Sequence, residues 1–404
     1  MMKIVCSDNM PFAEEAFQTI GRPVIRPGRS IGPADVADAE LLAIRSTTRI
    51  DRRLLDGSPV RFVGTATIGI DHMDTQYMDS QNIRWCYAPG CNANSVSEYV
   101  VSALLKTATT HGMSLAGMTL GIVGVGNVGT RVAGKAEALD MRVLLNDPPR
   151  ERTDISEGRP AFVPLDELLA KSDIVTLHVP LTRAGPDQTF HMADARFFSK
   201  IRKGAVFLNT ARGEVVDSVA LMTALRRDHV AAAIIDTWEN EPLYKLDLLD
   251  EIRIGTPHIA GHSFDGKVEG TMAVYRQACR FLGIDPAWTP HAVMPSPPVP
   301  EISFDCSSLT EQQALWAVVR EVYDVSEDDR MFRAIDGSSP DARGRHFDTL
   351  RANYPMRREF HNTTVTLKNG SNALRNKLGL LGFLTSRASD LAPPASEQSP
   401  RPAS

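Results

Sequence analysis

Short apolar runs alternate with helical patterns along the first part of the chain. Runs at residues 3–6, 41–44, 61–63 and 84–87 are each bounded by polar or turn-forming residues and predict four short strands. Strands that alternate with helices in this way favour a parallel α/β domain. A longer helical pattern at residues 95–111 is apolar on one side and is expected to lead into a second domain.

A second series of apolar runs continues the alternation. The predicted strands are residues 120–123, 141–145, 174–177, 205–208, 231–235 and 252–254. Such compact runs suit strands that are buried on both faces. The helical patterns between them include residues 165–171, 193–199 and 216–226. Together they predict a doubly wound parallel sheet from about residue 116 to residue 256, after which a helix at residues 268–282 returns the chain to the first domain.

Prolines cluster between residues 285 and 300 and predict a stiff linker to a third, small α+β domain. A helical pattern at residues 309–322 supports a folded region there. The last residues are rich in Ser, Pro and Ala, which is typical of disorder. The expected organisation is a substrate-binding domain at residues 1–95 completed by residues 259–284, a nucleotide-binding domain at 96–258, a C-terminal domain at 285–387 and a disordered tail at 388–404.

Composition excludes several classes of protein. The 404 residues are 43% hydrophobic and 23% charged, and the formal net charge of -5 gives no electrostatic reason to expect nucleic acid binding. Five cysteines without metal-ligand spacing predict neither a disulfide framework nor a metal site, and a reducing cytoplasm fits them best. No apolar stretch approaches the length of a membrane span, and the first ten residues do not form a signal peptide.

A glycine-rich run lies between a predicted strand and a predicted helix at residues 127–139. Its residues are Gly124-Val125-Gly126-Asn127-Val128-Gly129. The first glycine permits a tight turn, the second lets the backbone approach a pyrophosphate, and the third lets helix and strand pack closely. The helix N-terminus then faces the phosphate charge. A glycine turn without a ligand is the alternative, but the strand, turn and helix together favour a Rossmann-type dinucleotide site.

Asp147 ends the next predicted strand, 18 residues beyond Gly129. A carboxylate at this place accepts hydrogen bonds from a ribose 2′-hydroxyl and repels a 2′-phosphate. The sequence therefore predicts NAD rather than NADP, although Arg150 and Arg152 nearby would soften that preference.

Three polar segments follow predicted strands, at residues 209–217, 236–242 and 256–262. Open α/β sheets bind their ligands at the carboxyl ends of strands. The segments supply one cation, one carboxylate and one imidazole, which are Arg212, Glu241 and His258.

These three groups match the needs of alcohol oxidation by NAD. His258 would take the hydroxyl proton, and Glu241 would fix the imidazole tautomer and stabilise the imidazolium. Arg212 would bind a substrate carboxylate through two parallel hydrogen bonds. Each residue also has an ordinary explanation: a surface ion pair for Arg212, a solvated loop acid for Glu241, and a buried histidine bonded to backbone for His258.

The order of these segments resembles that of the D-isomer-specific 2-hydroxyacid dehydrogenases. In that family the glycine fingerprint is followed by H-x-P-L (here residues 178–181), N-x-x-R-G, D-x-x-x-x-E-P and T-P-H. The resemblance covers about residues 1–283 and implies catalytic roles for Arg212, Glu241 and His258. The cofactor contacts expected on this basis are Gly124, Gly126, Asn127, Val128, Gly129, Asp147, Val179, Thr210, Asp236 and Gly261.

Further segments resemble one branch of the family. They are residues 64–72, 90–94, 146–149, 259–261 and 266–271, with a C-terminal extension that ends near residues 358–360. The likeness implies a homodimer, paired through the C-terminal domain, that oxidises 4-phospho-D-erythronate to 2-oxo-3-hydroxy-4-phosphobutanoate on the route to pyridoxal 5′-phosphate. It also implies substrate contacts by Ser46 and Thr67.

Two positions depart from the pattern of that branch. His262 stands where a substrate-contacting tyrosine is expected, and Val179 stands where a threonine often precedes the proline near the cofactor. An imidazole can still donate a hydrogen bond to substrate, and a backbone group can replace the threonine contact.

A phosphorylated substrate needs cationic partners. Arg45, Ser46 and Arg49 follow a predicted strand of the first domain, which places them at the expected cleft. We therefore expect these three residues to provide donors for the phosphate, whereas a surface position for both arginines is the alternative.

Two other functions stay open on the sequence alone. One is oxidation of a different 2-hydroxy acid, such as 3-phosphoglycerate or glycerate. The other is an NAD-sensing binding protein of the corepressor type, which uses the same fold, and fold by itself does not separate it from an enzyme.

Overall fold

Three parallel sheets organise the computed structural model, which describes residues 1–153, 161–335 and 339–386. We call the units built on them the first, second and third domains. The tail predicted at residues 388–404 lies outside the described residues. Within the described parts, no helix is both long enough and apolar enough to cross a membrane. The predicted α/β class, with two doubly wound sheets and a small C-terminal unit, is confirmed.

The first sheet has five parallel strands in the order β2-β1-β3-β4-β5. Its elements are β1 (Lys3–Ser7), α1 (Ala13–Phe17), β2 (Arg22–Arg26), α2 (Pro33–Val36), β3 (Leu41–Ile44), α3 (Arg52–Leu55), β4 (Phe62–Thr65), α4 (Thr75–Ser80) and β5 (Arg84–Tyr87). Sequence reasoning missed β2. This edge strand contains Pro23 and a charged residue at each end, so it shows no compact apolar run.

The second sheet has six parallel strands, and the glycine-rich turn follows β6. Its elements are α5 (Ala93–His111), β6 (Thr119–Val123), α6 (Asn127–Ala138), β7 (Arg142–Asn146), α7 (Pro148–Thr153), α8 (Leu165–Lys171), β8 (Ile174–Leu177), α9 (Ala195–Lys200), β9 (Ala205–Asn209), α10 (Ser218–Arg226), β10 (Val230–Ile235), α11 (Leu246–Glu251) and β11 (Ile254–Gly255). The order β11-β10-β9-β8-β6-β7 puts the turn where the winding direction reverses. Ligands of such sheets bind at this point.

The strand predicted at residues 252–254 is shifted and shorter in the structure. Ile252 caps α11, and the amide of Arg253 already donates to the carbonyl oxygen of Ala233. Only Ile254–Gly255 pairs with β10 as a strand. The helix that follows, α12 (Phe264–Leu282), packs on β4 and β5 and so returns the chain to the first domain as predicted.

The third sheet is small and parallel, in the order β12-β13-β14. Its elements are β12 (Glu301–Asp305), α13 (Glu311–Val322), α14 (Val325–Arg333), α15 (Pro340–Ala352), β13 (Thr364–Lys368), α16 (Asn372–Leu381) and β14 (Leu384–Ser386). Helices α13 and α14 pack on α5, and α14 also contacts β11. The third domain therefore shares a core with the second.

Buried charges join α5 to the segment that precedes β13. One oxygen of Glu98 accepts hydrogen bonds from the Asn94 side chain at 3.0 Å and from the Phe360 amide at 2.9 Å. The guanidinium of Arg357 lies 3.9 Å from the other oxygen and stacks 3.6 Å from the ring centre of Tyr323. Burial, reinforced by the neighbouring Glu359 carboxylate, raises the pKa of Glu98 from 4.5 to about 8.

Replacement of Glu98 by glutamine should flatten the dependence of stability on pH. The pKa of Glu98 in the folded state lies above its ordinary value. The folded wild-type chain therefore keeps a proton that the unfolded chain loses above pH 4.5. Wild-type stability should fall between pH 4.5 and about pH 8, by about 1.4 kcal/mol per pH unit at most. Thermal unfolding across this range measures the effect.

Glu137→Gln on the exposed side of α6 is the matched control and should keep the wild-type slope. An equally steep slope in Glu98→Gln would show that other groups cause the pH dependence.

Candidate active site

The three segments that carry the predicted catalytic groups follow adjacent strands. Strand β10 pairs with β9 on one side and with β11 on the other, all parallel, so their carboxyl ends share one edge. The side-chain amide of Asn209 joins the first two loops by donating to the carbonyl oxygens of Arg212 at 3.1 Å and Thr237 at 3.3 Å. The sheet thereby brings the Arg212, Glu241 and His258 loops together.

Glu241 and His258 form a direct pair. Oε1 of Glu241 lies 2.5 Å from Nδ1 of His258, and Oε2 accepts from the Trp238 amide at 3.1 Å. Burial would raise the pKa of Glu241, but the charge and hydrogen bond of His258 hold it below its ordinary value. The carboxylate is therefore ionised, fixes the proton of His258 on Nδ1 and leaves Nε2 to accept a proton from a ligand.

The buried carboxylate of Asp236 fixes the backbone conformation of the loop that contains His258. Asp236 is 1% exposed, and its oxygens accept from the Thr256 hydroxyl at 2.6 Å and from the amides of Ile259 at 2.8 Å and Ala260 at 3.1 Å. The amide of His258 donates to the Asp236 carbonyl oxygen at 2.8 Å, and His258 has a φ of 55°. These bonds hold a left-handed conformation that a non-glycine residue rarely adopts. Asp236 thus shapes the loop of the proposed base.

Aromatic packing holds the loop that carries Glu241. Trp238 and Tyr244 flank this loop, are almost fully buried, and lie 5.1 Å apart between ring centres. Both contact Phe332 of the third domain, at 5.5 Å and 4.8 Å respectively. The indole nitrogen of Trp238 also donates to the Thr256 carbonyl oxygen at 2.8 Å. The third domain therefore supports the position of the carboxylate.

Arg212 reaches across the cleft to the first domain. Its Nε lies 3.2 Å from Oδ2 of Asp71, and its Nη1 donates to the Ala211 carbonyl oxygen at 2.8 Å. Gly69 approaches so closely that a Cβ there would lie 2.2 Å from Nη2 of Arg212. The Arg212 side chain is 29% exposed and the Asp71 side chain is 61% exposed, so the pair lies partly open to solvent.

The glycine turn has the shape that a dinucleotide requires. Gly124 has a φ of 88°, and a Cβ on it would come within 2.7 Å of the His178 backbone. A Cβ on Gly129 would lie 2.1 Å from the Gly124 carbonyl oxygen, so helix and strand pack as closely as predicted. A Cβ on Gly126 would meet nothing within 4 Å, which leaves open space where a pyrophosphate would approach.

Asp147 lies beside this turn. Its Oδ2 accepts from the Val125 amide at 2.7 Å, and its Oδ1 accepts from the Arg150 amide at 3.0 Å. Asn127 and Val128 begin α6, whose N-terminus follows the turn directly. The acid, the open glycine and the helix start all fit NAD.

His178 connects Thr210 to the glycine turn, and Val179 follows His178 beside that turn. Both nitrogens of the His178 ring form hydrogen bonds: Nδ1 lies 3.2 Å from Thr210 Oγ1, and Nε2 lies 3.0 Å from Thr176 Oγ1. Burial lowers the pKa of His178 to about 3, so the ring is neutral. The Val179 side chain lies next to Gly124, 2.8 Å from the position that a Cβ would take.

The predicted substrate residues of the first domain follow neighbouring strands β3 and β4. Arg45 donates to the Ala66 carbonyl oxygen at 3.4 Å, and Ser46 is exposed. The Thr67 hydroxyl donates to the Gly69 carbonyl oxygen at 2.9 Å. Arg49 is 85% exposed and pairs with Asp51 at 3.5 Å, so it lies at the surface.

Gly261 and His262 precede α12. A Cβ on Gly261 would lie 2.2 Å from the side-chain nitrogen of Asn92, so a larger residue here would displace the Asn92 side chain. The His262 ring packs edge-on against Tyr354, with 5.7 Å between centres. Burial and nearby cations hold its pKa well below the ordinary value, and its buried Nδ1 has no hydrogen-bond partner within the described part of the chain. A neutral imidazole with a free nitrogen can accept or donate one bond to substrate.

Sequence reasoning missed three charged residues of this cleft. They are Asp71, Lys267 and Arg351. Lys267 belongs to the segment at residues 266–271 that resembles one branch of the family, but no motif in the sequence assigned a chemical role to this lysine. Arg351 belongs to a helix with no active-site motif, so only tertiary packing shows its position.

Family models match two parts of the chain. Residues 92–260 match the NAD binding domain of the D-isomer specific 2-hydroxyacid dehydrogenases. Residues 293–382 match a domain of unknown function, DUF3410. NAD is therefore the cofactor, and the predicted dinucleotide site is confirmed as an NAD-binding domain.

Curated relatives match across most of the chain. An erythronate-4-phosphate dehydrogenase of Salinibacter ruber is 45% identical over 374 residues, which cover 90% of this chain and 94% of that protein. One from Marinobacter nauticus is 41% identical over 383 residues, covering 95% and 99% respectively.

Solved structures superpose on about 70% of the chain. A Thermus thermophilus protein superposes with a TM-score of 0.60 at 26% identity and covers 71% of this chain and 99% of its own. An Aquifex aeolicus D-lactate dehydrogenase, complexed with NAD and lactic acid, has a TM-score of 0.59 at 25% identity, covering 69% and 95%. Fold, site and relatives agree: the chain belongs to the erythronate-4-phosphate dehydrogenases, a family of D-isomer specific 2-hydroxyacid dehydrogenases that bind NAD.

Proposed function

We propose that this chain oxidises 4-phospho-D-erythronate to 2-oxo-3-hydroxy-4-phosphobutanoate with NAD, as a step towards pyridoxal 5′-phosphate. The observation that carries the proposal is the Glu241 to His258 pair at 2.5 Å, on the loops beside Arg212 at the carboxyl edge of the NAD-binding sheet. The names of the relatives support the substrate. They do not favour the other 2-hydroxy acids or the corepressor-type role.

In the oxidation direction His258 takes the proton of the C2 hydroxyl on Nε2. Glu241 holds Nδ1 and, being ionised, stabilises the imidazolium that results. Arg212 binds the C1 carboxylate in place of Asp71 and so orients C2. NAD, when bound, supplies the hydride acceptor for C2.

The cofactor contacts that we propose surround the glycine turn and the loops after β7 to β11. They are Gly124, Gly126, Asn127, Val128, Gly129, Asp147, Val179, Thr210, Asp236 and Gly261. The open space at Gly126 supports contact with the pyrophosphate, and the place of Asp147 beside the turn supports contact with the ribose. Asp236 would act mainly through the loop it holds, because its carboxylate is buried and already bonded.

On the substrate side we propose contacts from Arg45, Ser46, Thr67 and His262. Ser46 and Thr67 follow adjacent strands, so they meet at one edge of the first sheet. The unpartnered Nδ1 of His262 supports a hydrogen bond to a substrate hydroxyl, the role that tyrosine has in the family pattern. Arg45 supplies positive charge for the phosphate.

Domain roles follow from the same placement. We propose that residues 1–95 with 259–284 bind substrate, that residues 96–258 bind NAD, and that the C-terminal domain, predicted at residues 285–387, pairs two chains. Residue 387 lies outside the described part of the chain. The five cysteines are all free, which supports a reducing cytoplasm.

Purified protein mixed with 4-phosphoerythronate and a 2-oxo acid should form 2-oxo-3-hydroxy-4-phosphobutanoate. The added 2-oxo acid reoxidises cofactor that does not exchange, and NADH fluorescence with product analysis follows turnover. His258→Ala is the control: without the base, turnover should fall at least about a thousandfold, while NADH binding changes little. Oxidation of 3-phosphoglycerate or glycerate, with none of 4-phosphoerythronate, would contradict the proposal.

Arg45→Ala should raise KM for 4-phosphoerythronate about tenfold or more and change KM for unphosphorylated erythronate much less, because only the first substrate has the phosphate. Initial rates with both acids measure the difference. Arg49→Ala, at the exposed arginine four positions away, should match wild type. Equal effects of Arg45→Ala on both acids would remove this role.

Asp147→Asn should reduce the preference for NAD over NADP roughly tenfold, because it removes the charge that repels a 2′-phosphate while keeping an acceptor for the Val125 amide. The ratio of kcat/KM for the two cofactors measures this. Asp166→Asn, on an exposed acid of α8, should leave the ratio unchanged. An unaltered preference in Asp147→Asn would mean that another group selects NAD.

A further inference from the structure

Helix α15 of the third domain lies across the catalytic cleft. Its Gly344 is beside Pro242 and Leu243, which directly follow Glu241: a Cβ on Gly344 would lie 3.4 Å from Leu243 and 3.8 Å from Pro242. One helical turn later, Asp348 pairs with Arg29 of the first domain at 2.9 Å. A single helix thus touches both walls of the cleft.

Arg351 lies on this same face of α15. Positions 344, 348 and 351 are spaced by four and three residues, which aligns them along one side of a helix. Tyr354, three residues further, contacts the His262 ring. The Arg351 guanidinium lies 5.5 Å from the Phe347 ring centre, and no carboxylate among the described residues is within ion-pair distance of it. Its charge acts on Glu241, His262 and Lys267.

Lys267 approaches the same space from α12. Gly270, one turn later on α12, is so close to the first domain that a Cβ would lie 2.7 Å from the Ala66 carbonyl oxygen. Arg45 donates to that same oxygen. The Lys267 ammonium is partly buried, and among the described residues no acid pairs with it. Burial, with the charges of Arg45 and Arg351, lowers the pKa of Lys267 to about 8.

Among the described residues no acid forms an ion pair with Arg45, Lys267 or Arg351. Neighbouring cations without such a partner repel one another, and an anionic ligand relieves that repulsion. Arg212 serves the carboxylate end of the substrate from the other sheet, so this cluster faces the remaining charge. Resting on the proposed function, we propose that Lys267 and Arg351 join Arg45 to bind the substrate phosphate, and that the third domain thereby contributes directly to substrate recognition within one chain.

Lys267→Met and Arg351→Met test the pocket. Each should raise KM for 4-phosphoerythronate about ten- to hundredfold and change KM for erythronate less than threefold, because only the first acid carries a phosphate. Arg280→Met on α12 and Arg345→Met on α15 are matched controls at exposed positions and should behave as wild type. Wild-type KM in both pocket variants, or equal losses on the two acids, would overturn the proposal.

Direct binding separates this pocket from the proposed reaction. Calorimetry with inorganic phosphate should show binding to wild type and to Lys267→Arg, and at least tenfold weaker binding to Lys267→Met and Arg351→Met. If 4-phosphoerythronate is not oxidised but phosphate binding depends on both residues, the reaction fails and the pocket stands. If it is oxidised and all variants bind phosphate as wild type does, the pocket fails alone.

The pH dependence of binding provides a readout that a structural role would not change. The groups that face Lys267 are Arg45 after β3, His262 before α12 and Arg351 on α15. Because Lys267 loses its proton above about pH 8, affinity for sulfate, whose charge is constant in this range, should fall there in wild type. Lys267→Arg should bind with little change to pH 9.5, and an equal fall in that variant would overturn the assignment.

Discussion

The buried Asp236 carboxylate is the constraint on which the candidate active site depends. Asp236 directly follows β10, which lies between β9 and β11. Its carboxylate accepts hydrogen bonds from one hydroxyl and two amides of the loop after β11. Burial raises its pKa, and the three hydrogen bonds oppose that rise. Through these bonds His258 keeps an unfavourable backbone conformation in which its ring meets Glu241. Loops so restrained can place an acid and a base precisely.

The third domain completes this arrangement from outside the two larger domains. Phe332 packs against both aromatic residues that flank the Glu241 loop, and α15 covers the residues just after Glu241. The buried side chains of Glu98 and Arg357 join the same domain to α5. Changes in the C-terminal region can therefore reach the site through packing as well as through charge.

Charge is distributed unevenly across the cleft. Burial keeps the imidazoles of His178 and His262 neutral, so they contribute hydrogen bonds without net charge. The cations lie in two places, at Arg212 after β9 and at the group formed by Arg45, Lys267 and Arg351. The proposed substrate has an anion at each end and fits such a separation. In this picture the positions of these two groups of cations determine which substrate binds.

The sequence by itself determined the alternation of strands and helices, the glycine turn with its acid, and the order of the candidate catalytic residues, because these depend on local periodicity and short spacing. Sequence reasoning missed β2, because this edge strand contains a proline and has too little apolar pattern. It placed β11 two residues too early, because Ile252 caps the preceding helix instead of starting the strand. Only the tertiary structure decided that Asp71 pairs with Arg212 and that Lys267, Arg351 and Arg45 lie close enough for their charges to interact. Those residues come from elements far apart in the chain, and their proximity results from how three domains pack.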